Sequence, residues 1–336
     1  LPKYQQVGYT KIIGGTAQLL DMPALAKDLI YWDAFGNAAK MKAMLSHHGI
    51  CCLLVVGAAF IFSSPQESAC EGESTMKNKI VRPTPAAAQG LDITVVYDNY
   101  AHTAGLQTGW GFSCLIQGLD HTILFDTGGD GAVLLENMRR LGIDPIGIDV
   151  IFLSHNHGDH TGGLAALLRT NPHVKVCFPQ TFPAALKRTL AERGVRIQAV
   201  AKPVEITRSA CSSGILGNGI PEQSLFVVTD AGTIVITGCA HPGIVRILKE
   251  AEELIGDAFL LVMGGFHLGG ASGPQLAQIA AEFKTLDVKS VGPCHCSGDL
   301  TRKIFKEMWA GAYETIGVGR RIGFDDHVPP AVLPKP

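Results

Sequence analysis

The tightest constraint on this chain is one run, Ser154-His155-Asn156-His157-Gly158-Asp159-His160, which follows the apolar stretch Asp149–Leu153. That stretch reads as a buried strand by composition, and Thr161-Gly162-Gly163 behind the run turns the chain towards a helix. Side chains two apart on extended backbone share a face, so His155 and His157 point the same way. Asp159 and His160 follow as the chain turns. Three imidazoles and a carboxylate at one strand end suit zinc, and also iron or manganese. Four such donors can serve two adjacent divalent ions. A His-rich surface loop or a purely structural ion is the bland alternative, and ligands this dense directly after a strand weigh against it.

The surrounding pattern alternates in a way that supports such a strand end. Asp92–Tyr97, Trp110–Gln117 and Thr122–Phe125 are β-rich, the last two separated by the turn Gly118-Leu119-Asp120-His121. Val133, Leu134, Met138 and Leu141 give Ala132–Leu141 helical spacing. Helices are expected over Gly163–Leu168, Pro183–Arg193, Pro242–Leu254, Pro274–Thr285 and Asp299–Met308. Strands are expected at Val174–Phe178, Phe259–Met263 and Ser290–Gly292, with a hairpin of Leu225–Thr229 and Thr233–Thr237. Strand pairs first and strand–helix alternation afterwards predict an α/β fold of the αββα sandwich type. With 46% apolar residues there is material for a sizeable core. The 28 basic and 30 acidic residues nearly cancel, which removes any electrostatic reason to expect nucleic acid as a partner; the expected partner is a small-molecule substrate.

SHNHGDHTGG resembles the signature of the metallo-β-lactamase superfamily, and further motifs resemble it in order. Leu124-Phe125-Asp126-Thr127-Gly128 looks like its early hairpin aspartate. Thr237-Gly238-Cys239-Ala240-His241-Pro242-Gly243, Gly264-Gly265-Phe266-His267-Leu268 and Gly292-Pro293-Cys294-His295-Cys296-Ser297-Gly298 follow. With Tyr97-Asp98-Asn99, these last three resemble the subgroup named after the archaeal dihydropterin–ribofuranosylaminobenzene phosphate synthase. The resemblance covers about Leu91 to Phe324. It implies metal ligation by His155, His157, Asp159 and His160, with His295 as the last histidine ligand and His241 as the remaining one. The chain departs from the common pattern in having no upstream Gly-His-Thr. Where many members carry a bridging Gly-Asp it reads Gly238-Cys239, which leaves that position to Cys239 or His241. His267 is expected to face the same cleft, as a ligand, a ligand's partner or a substrate contact. Asp126 is expected to orient a ligand or to cap its turn. Asp98 and Asn99 brace a loop or touch substrate. Cys294 and Cys296 are expected to pack beside His295, disulfide formation and metal binding being the alternatives. His47, His48, His102, His121, His173 and His327 lack strand-end context and read as ordinary residues.

The N-terminal part reads differently. Ile50 to Phe62 is an uninterrupted run of apolar or small residues, preceded by Lys40 and Lys42 and broken by Ser63-Ser64-Pro65. It has the length of a signal-peptide core rather than of a membrane span. The expected organisation is a non-native or disordered extension over 1–49, a signal-peptide core and cleavage region over 50–70, a linker over 71–90, the catalytic domain over 91–327 and a tail over 328–336. Translation from Met41 or Met44 and export of the protein fit this reading. The alternative is a genuine helical extension followed by a buried helix, in a cytoplasmic protein. Cys70 after Ser68-Ala69 resembles a lipoprotein cleavage site, with Glu67 where an apolar residue is usual; lipidation there would anchor the chain to a membrane.

Three functions follow. The first is a metal-dependent hydrolase, in which a metal-bound hydroxide at a two-ion centre attacks an ester, lactone, amide or phosphoester. Asp159 would ligate and orient the nucleophile, and His267 or His241 would supply a proton. The second is transfer or condensation on a pterin-like phosphorylated substrate, as the subgroup's namesake implies; an exported protein is a poor place for cytosolic cofactor synthesis. The third is a non-catalytic metal-binding protein. A flavodiiron-type role fits less well, since it wants a carboxylate at position 157. Ser209–Gln223, containing Gly and Ser, is expected to be a substrate-facing loop.

Overall fold

The computed structural model describes residues 82–324. The expected extension, signal-peptide core, Cys70 and the tail from His327 onward lie outside these residues. Among the described residues, thirteen strands form two sheets. In the first, β1 (Asp92–Asp98), β2 (Phe112–Gln117), β3 (Ile123–Phe125), β4 (Val150–Phe152), β5 (Lys175–Pro179) and β6 (Arg196–Val200) run in sequence order, and β13 (Arg321–Gly323) flanks β1. The second has the order β12-β11-β10-β9-β8-β7. It is built from β7 (Val204–Thr207), β8 (Ala210–Ser212), β9 (Leu225–Thr229), β10 (Gly232–Thr237), β11 (Phe259–Gly265) and β12 (Ser290–Cys294). Each sheet is antiparallel on one side and parallel on the other. The parallel sets are β3-β4-β5-β6 and β10-β11-β12. Loops leaving the C-terminal ends of parallel strands are where such sheets build their sites, and the histidine-rich motifs sit there.

Three apolar layers hold the sandwich together. Inward-facing residues of both sheets, among them Ile93, Phe112, Phe125 and Phe152 opposite Leu225, Val227, Ile234 and Met263, make the central one. The Phe125 and Phe152 rings stack with centroids 5.5 Å apart. Outside the first sheet lie α1 (Gly131–Arg140), the short α2 (Gly158–Thr161), α3 (Leu164–Thr170) and α4 (Ala184–Glu192). Outside the second lie α5 (Ile244–Ile255), α6 (Gly273–Thr285) and α7 (Asp299–Trp309). Helix α5 shows why the sequence folds this way: Ile244, Ile247, Leu248, Ala251 and Ile255 recur at helical spacing on the buried face, and left-handed Gly256 ends it. Helix α1 starts at Asp130, whose carboxylate accepts the amides of Ala132 and Val133. Helix α6 opens with a Ser272–Gln275 capping box. The sandwich expected from the pattern is the one observed.

One expectation is corrected. The described part of the linker is docked to the domain. Thr84 donates its amide to Arg208, Ala86 forms a bridge with Thr229, and Ala88 is buried in the central layer. Its Pro- and Ala-rich composition hid this because backbone hydrogen bonds make most of the attachment. Within Ser209–Gln223, expected to face substrate, Ala210–Ser212 is strand β8, and positions near Asn218-Gly219-Ile220 are exposed. Strands β6, β7 and β13 carry too few apolar residues, or are too short, to announce themselves.

Candidate metal centre

The loop after β4 and the ends of β10, β11 and β12 converge between the two sheets. Two groups of side chains present ligand atoms within 4.8 Å of one another: His155, His157 and His241 in one, Asp159, His160, Cys239 and His295 in the other. The six expected metal ligands are therefore brought together, and Cys239 joins the second group. His267 lies at the exposed rim, its ring centroid 4.6 Å from that of His241.

The orientation of each ring follows from a partner on its far side. Buried Asp126 accepts the Ser154 amide and hydroxyl, each at 2.7 Å, and pairs with His160 Nδ1 at 2.7 Å. The Ser154 hydroxyl, having donated to Asp126, accepts from His155 Nδ1 at 2.9 Å. Glu222 lies 2.8 Å from His241 Nδ1, and Asn99 Oδ1 lies 3.0 Å from His295 Nδ1. A proton on each outward Nδ1 leaves the Nε2 lone pairs of His155, His160, His241 and His295 facing the centre. His155 Nε2 then sits 3.0 Å from His157 Nδ1. Burial, reinforced by neighbouring histidines, pushes both His155 and His160 down to about 3, so both rings are neutral donors. Burial would raise Asp159, but hydrogen bonding to His295 and the charge of His160 outweigh it and hold the carboxyl below its usual range.

These residues fit a cation. His295 Nε2 is buried and lies 3.3 Å from the Asp159 carboxylate, in the same group of candidate ligand atoms. Asp126 and Glu222 are fully buried carboxylates, and among the described residues their ion-pair partners are histidines, not Lys or Arg. Buried anions of this kind need a positive charge nearby. Burial drives Asp126 up to about 8 against the pull of His155 and the Ser154 donors. In Glu222 the balance is reversed: hydrogen bonds from His241 overcome burial and hold it at about 2.

Backbone geometry completes the aim. Asp126, Ala240, His267 and His295 all have positive φ, between 49° and 58°, a costly region for residues with a side chain. Gly238 is required: a Cβ there would lie 2.1 Å from the Ser154 hydroxyl. Gly111, at φ 138°, packs against the Asp159 carbonyl, which a Cβ would meet at 2.2 Å.

Two contributors escaped the sequence reading. Glu222 accepts the amides of Cys239, Ala240 and His241 as well as the His241 ring, and so shapes the whole turn after β10. Trp110, 61% exposed, sets its ring 4.8 Å from that of His295. A lone Glu after Gly-rich sequence carries no signal. Trp110 could have been suspected from Gly109 and Gly111 on either side. Asp126 holds Ser154 and His160, Asn99 holds His295, and the Asp98 carboxylate accepts the Tyr100 amide. Cys294 packs in the central layer, whereas Cys296 turns towards Cys239 and His267 instead of packing. His102, His121 and His173 are exposed and belong to none of the groups of candidate ligand atoms.

An αββα sandwich that gathers histidine, carboxylate and thiol side chains able to hold a metal ion at the ends of its strands defines a class of metal-binding enzyme folds. The chain belongs to the metallo-β-lactamase superfamily, whose family model matches residues 111–288. It is similar to the 7,8-dihydropterin-6-methyl-4-(β-D-ribofuranosyl)-aminobenzene-5'-phosphate synthase of Methanocaldococcus jannaschii, at 29% identity over 69% of this chain and 95% of that protein. Among solved structures it resembles Tm1679, a metal-dependent hydrolase of the β-lactamase superfamily. The TM-score is 0.59 and the identity 29%, covering 69% of this chain and 98% of that one. It shares the fold of YhfI from Bacillus subtilis, a metallo-β-lactamase fold protein, at TM-score 0.53 and 13% identity, covering 69% of this chain and 98% of that one.

Proposed function

We propose that this protein is a metal-dependent hydrolase of a small ester, lactone, amide or phosphoester, with two divalent ions, zinc first and iron or manganese as substitutes. The observation that carries this reading is the set of ring nitrogens turned inward by hydrogen-bond partners on their far sides, Ser154, Asp126, Glu222 and Asn99. Divalent ions held there would supply a water ionised near neutral pH and polarisation of an acyl or phosphoryl oxygen. His155, His157 and His241 would hold one ion, and Asp159, His160 and His295 the other, with Cys239 beside them. Asp159 is half-buried, with one oxygen 3.3 Å from His295 Nε2, so its second oxygen would be placed to align an attacking water. Asp126, Glu222 and Asn99 keep the rings from rotating. Trp110 and His267 stand at the open rim, where a substrate enters and a leaving group departs.

The test compares native, chelated and reloaded full-length protein on a panel of these four substrate types. Turnover that vanishes on chelation and returns with metal is expected. Full turnover by metal-free protein, or by His155→Ala, would sink the reading.

A second reading is transfer or condensation on a pterin-like phosphorylated substrate. It is favoured by the similarity to the M. jannaschii synthase along nearly its whole length. Incubation with a pterin diphosphate and an aminobenzene ribofuranosyl phosphate, followed by mass spectrometry, separates the two: a condensed product supports transfer, and hydrolysis products alone exclude it. Export remains part of the proposal. Detection of a processed chain outside the cytoplasm supports it, and an unprocessed cytoplasmic chain overturns it.

A further inference from the structure

A third group of ligand atoms adjoins the centre. The Cys239 and Cys296 thiols and the His267 imidazole also lie within 4.8 Å of one another. Donors about 2.0–2.3 Å from a common tetrahedral ion lie about 3.3–3.8 Å apart, so only small side-chain rotations separate this group from a coordination sphere.

The turns carrying these residues are fastened together. The Gly265 amide donates to the Gly238 carbonyl at 3.1 Å, tying the end of β11 to the turn after β10. The Phe266 amide donates to the Ser297 hydroxyl at 3.0 Å, tying β11 to the turn after β12. Gly265 leaves the space that the Cys296 sulfur occupies; a Cβ there would approach it to 2.7 Å. The Cys296 thiol points back at the Cys239 carbonyl, 3.7 Å away. His267 and the neighbouring His295 both sit at positive φ. Strained backbone that gathers two thiols and an imidazole is unusual for side chains that merely fill space. The four other described cysteines are all buried, and none belongs to such a group.

We infer that Cys239, His267 and Cys296 form a further metal site, open on its solvent side, that takes a thiophilic cation of the zinc class. Two sulfurs and one imidazole select for softer ions than the histidine and carboxylate groups do. Cys239 belongs to both this group and the second one, its sulfur 3.3 Å from His160 Nε2. Its thiolate can therefore bridge the two sites. Binding here commits His267 as a ligand, and the proton donor expected of it is then solvent at the rim. With three protein ligands, the fourth position stays open, as in sites that exchange a bound water for another ligand.

The experiment titrates chelated full-length protein with Co²⁺ and, separately, Cd²⁺, following thiolate-to-metal charge-transfer absorbance and bound metal. Cys51, Cys52 and Cys70 are replaced by serine throughout, so their thiols add nothing. The expected band has the intensity of two thiolates. Cys296→Ser should lose about half of it, together with one equivalent of ion. His267→Ala, at an exposed position that the fold tolerates, should keep the thiolate band at saturation but weaken the last ion by roughly tenfold or more. A one-thiolate band in the parent protein, or unchanged metal content and band in both variants, overturns the site. If Cys296→Ser fails to fold, the parent band and His267→Ala decide alone. Because turnover is not read, failure of the hydrolase reading leaves this result standing, and the reverse also holds.

Discussion

The two halves of the centre are built in opposite ways. The first sheet delivers His155, His157, Asp159 and His160 from one loop, and a single buried carboxylate, Asp126, steadies that loop through Ser154 and His160. The second sheet delivers its candidate ligands from three separate turns, at the ends of β10, β11 and β12, and fixes them with separate partners, Glu222 for the turn at Cys239–His241 and Asn99 for His295. A compact loop carries much of its geometry in its own chain. A site assembled from three strand ends depends on the partners that hold the turns in place.

Substitutions can break this contrast at graded depth. The largest effect should come from His155→Ala, which removes a ligand of the first group: turnover should fall below detection and bound metal should drop, read by assay and elemental analysis. Retained metal and turnover would place the chemistry elsewhere. Glu222→Gln should follow. Three amides lose part of a charged acceptor, and one unsatisfied buried group costs about 1–3 kcal/mol. Denaturant unfolding should show that loss, with weaker metal binding. If stability is unchanged, the turn after β10 holds its own shape. Asp126→Asn should cost roughly 10–100-fold in metal affinity. The strongest form of the contrast expects less lost stability here than in Glu222→Gln, because the loop after β4 keeps its backbone bonds; equal losses would erase the distinction. The smallest effect should be Asn99→Ala, about tenfold in affinity and confined to the ion held by His295. Competition with a chelating dye that resolves two binding steps would show whether only one step moves.

The same contrast explains what could be read in the sequence. Four ligands within six residues are legible because one strand end positions them all. The hairpin of β9 and β10 and the helices α5, α6 and α7 were legible from their periodicity. His241 and His295 were found only through the resemblance of their motifs, since Cys239 beside the one and Cys294 and Cys296 beside the other read equally well as packed cysteines. Glu222 was invisible. Its role exists only after β9 and β10 pair and bring the preceding segment under the turn at Cys239–His241. Docking of residues 84–88 was missed for the related reason that backbone amides, not side chains, make the attachment.

The contact between Asn99 and His295 spans 196 positions of sequence. As the chain leaves the ribosome, the dense loop after β4 appears first, yet it holds only part of either ligand group. The His155 group becomes complete when His241 emerges. The other waits for His295, more than fifty residues later. The order of synthesis thus sets an order of assembly, and a chain interrupted between these two points would carry one closed cluster and one still lacking its last imidazole.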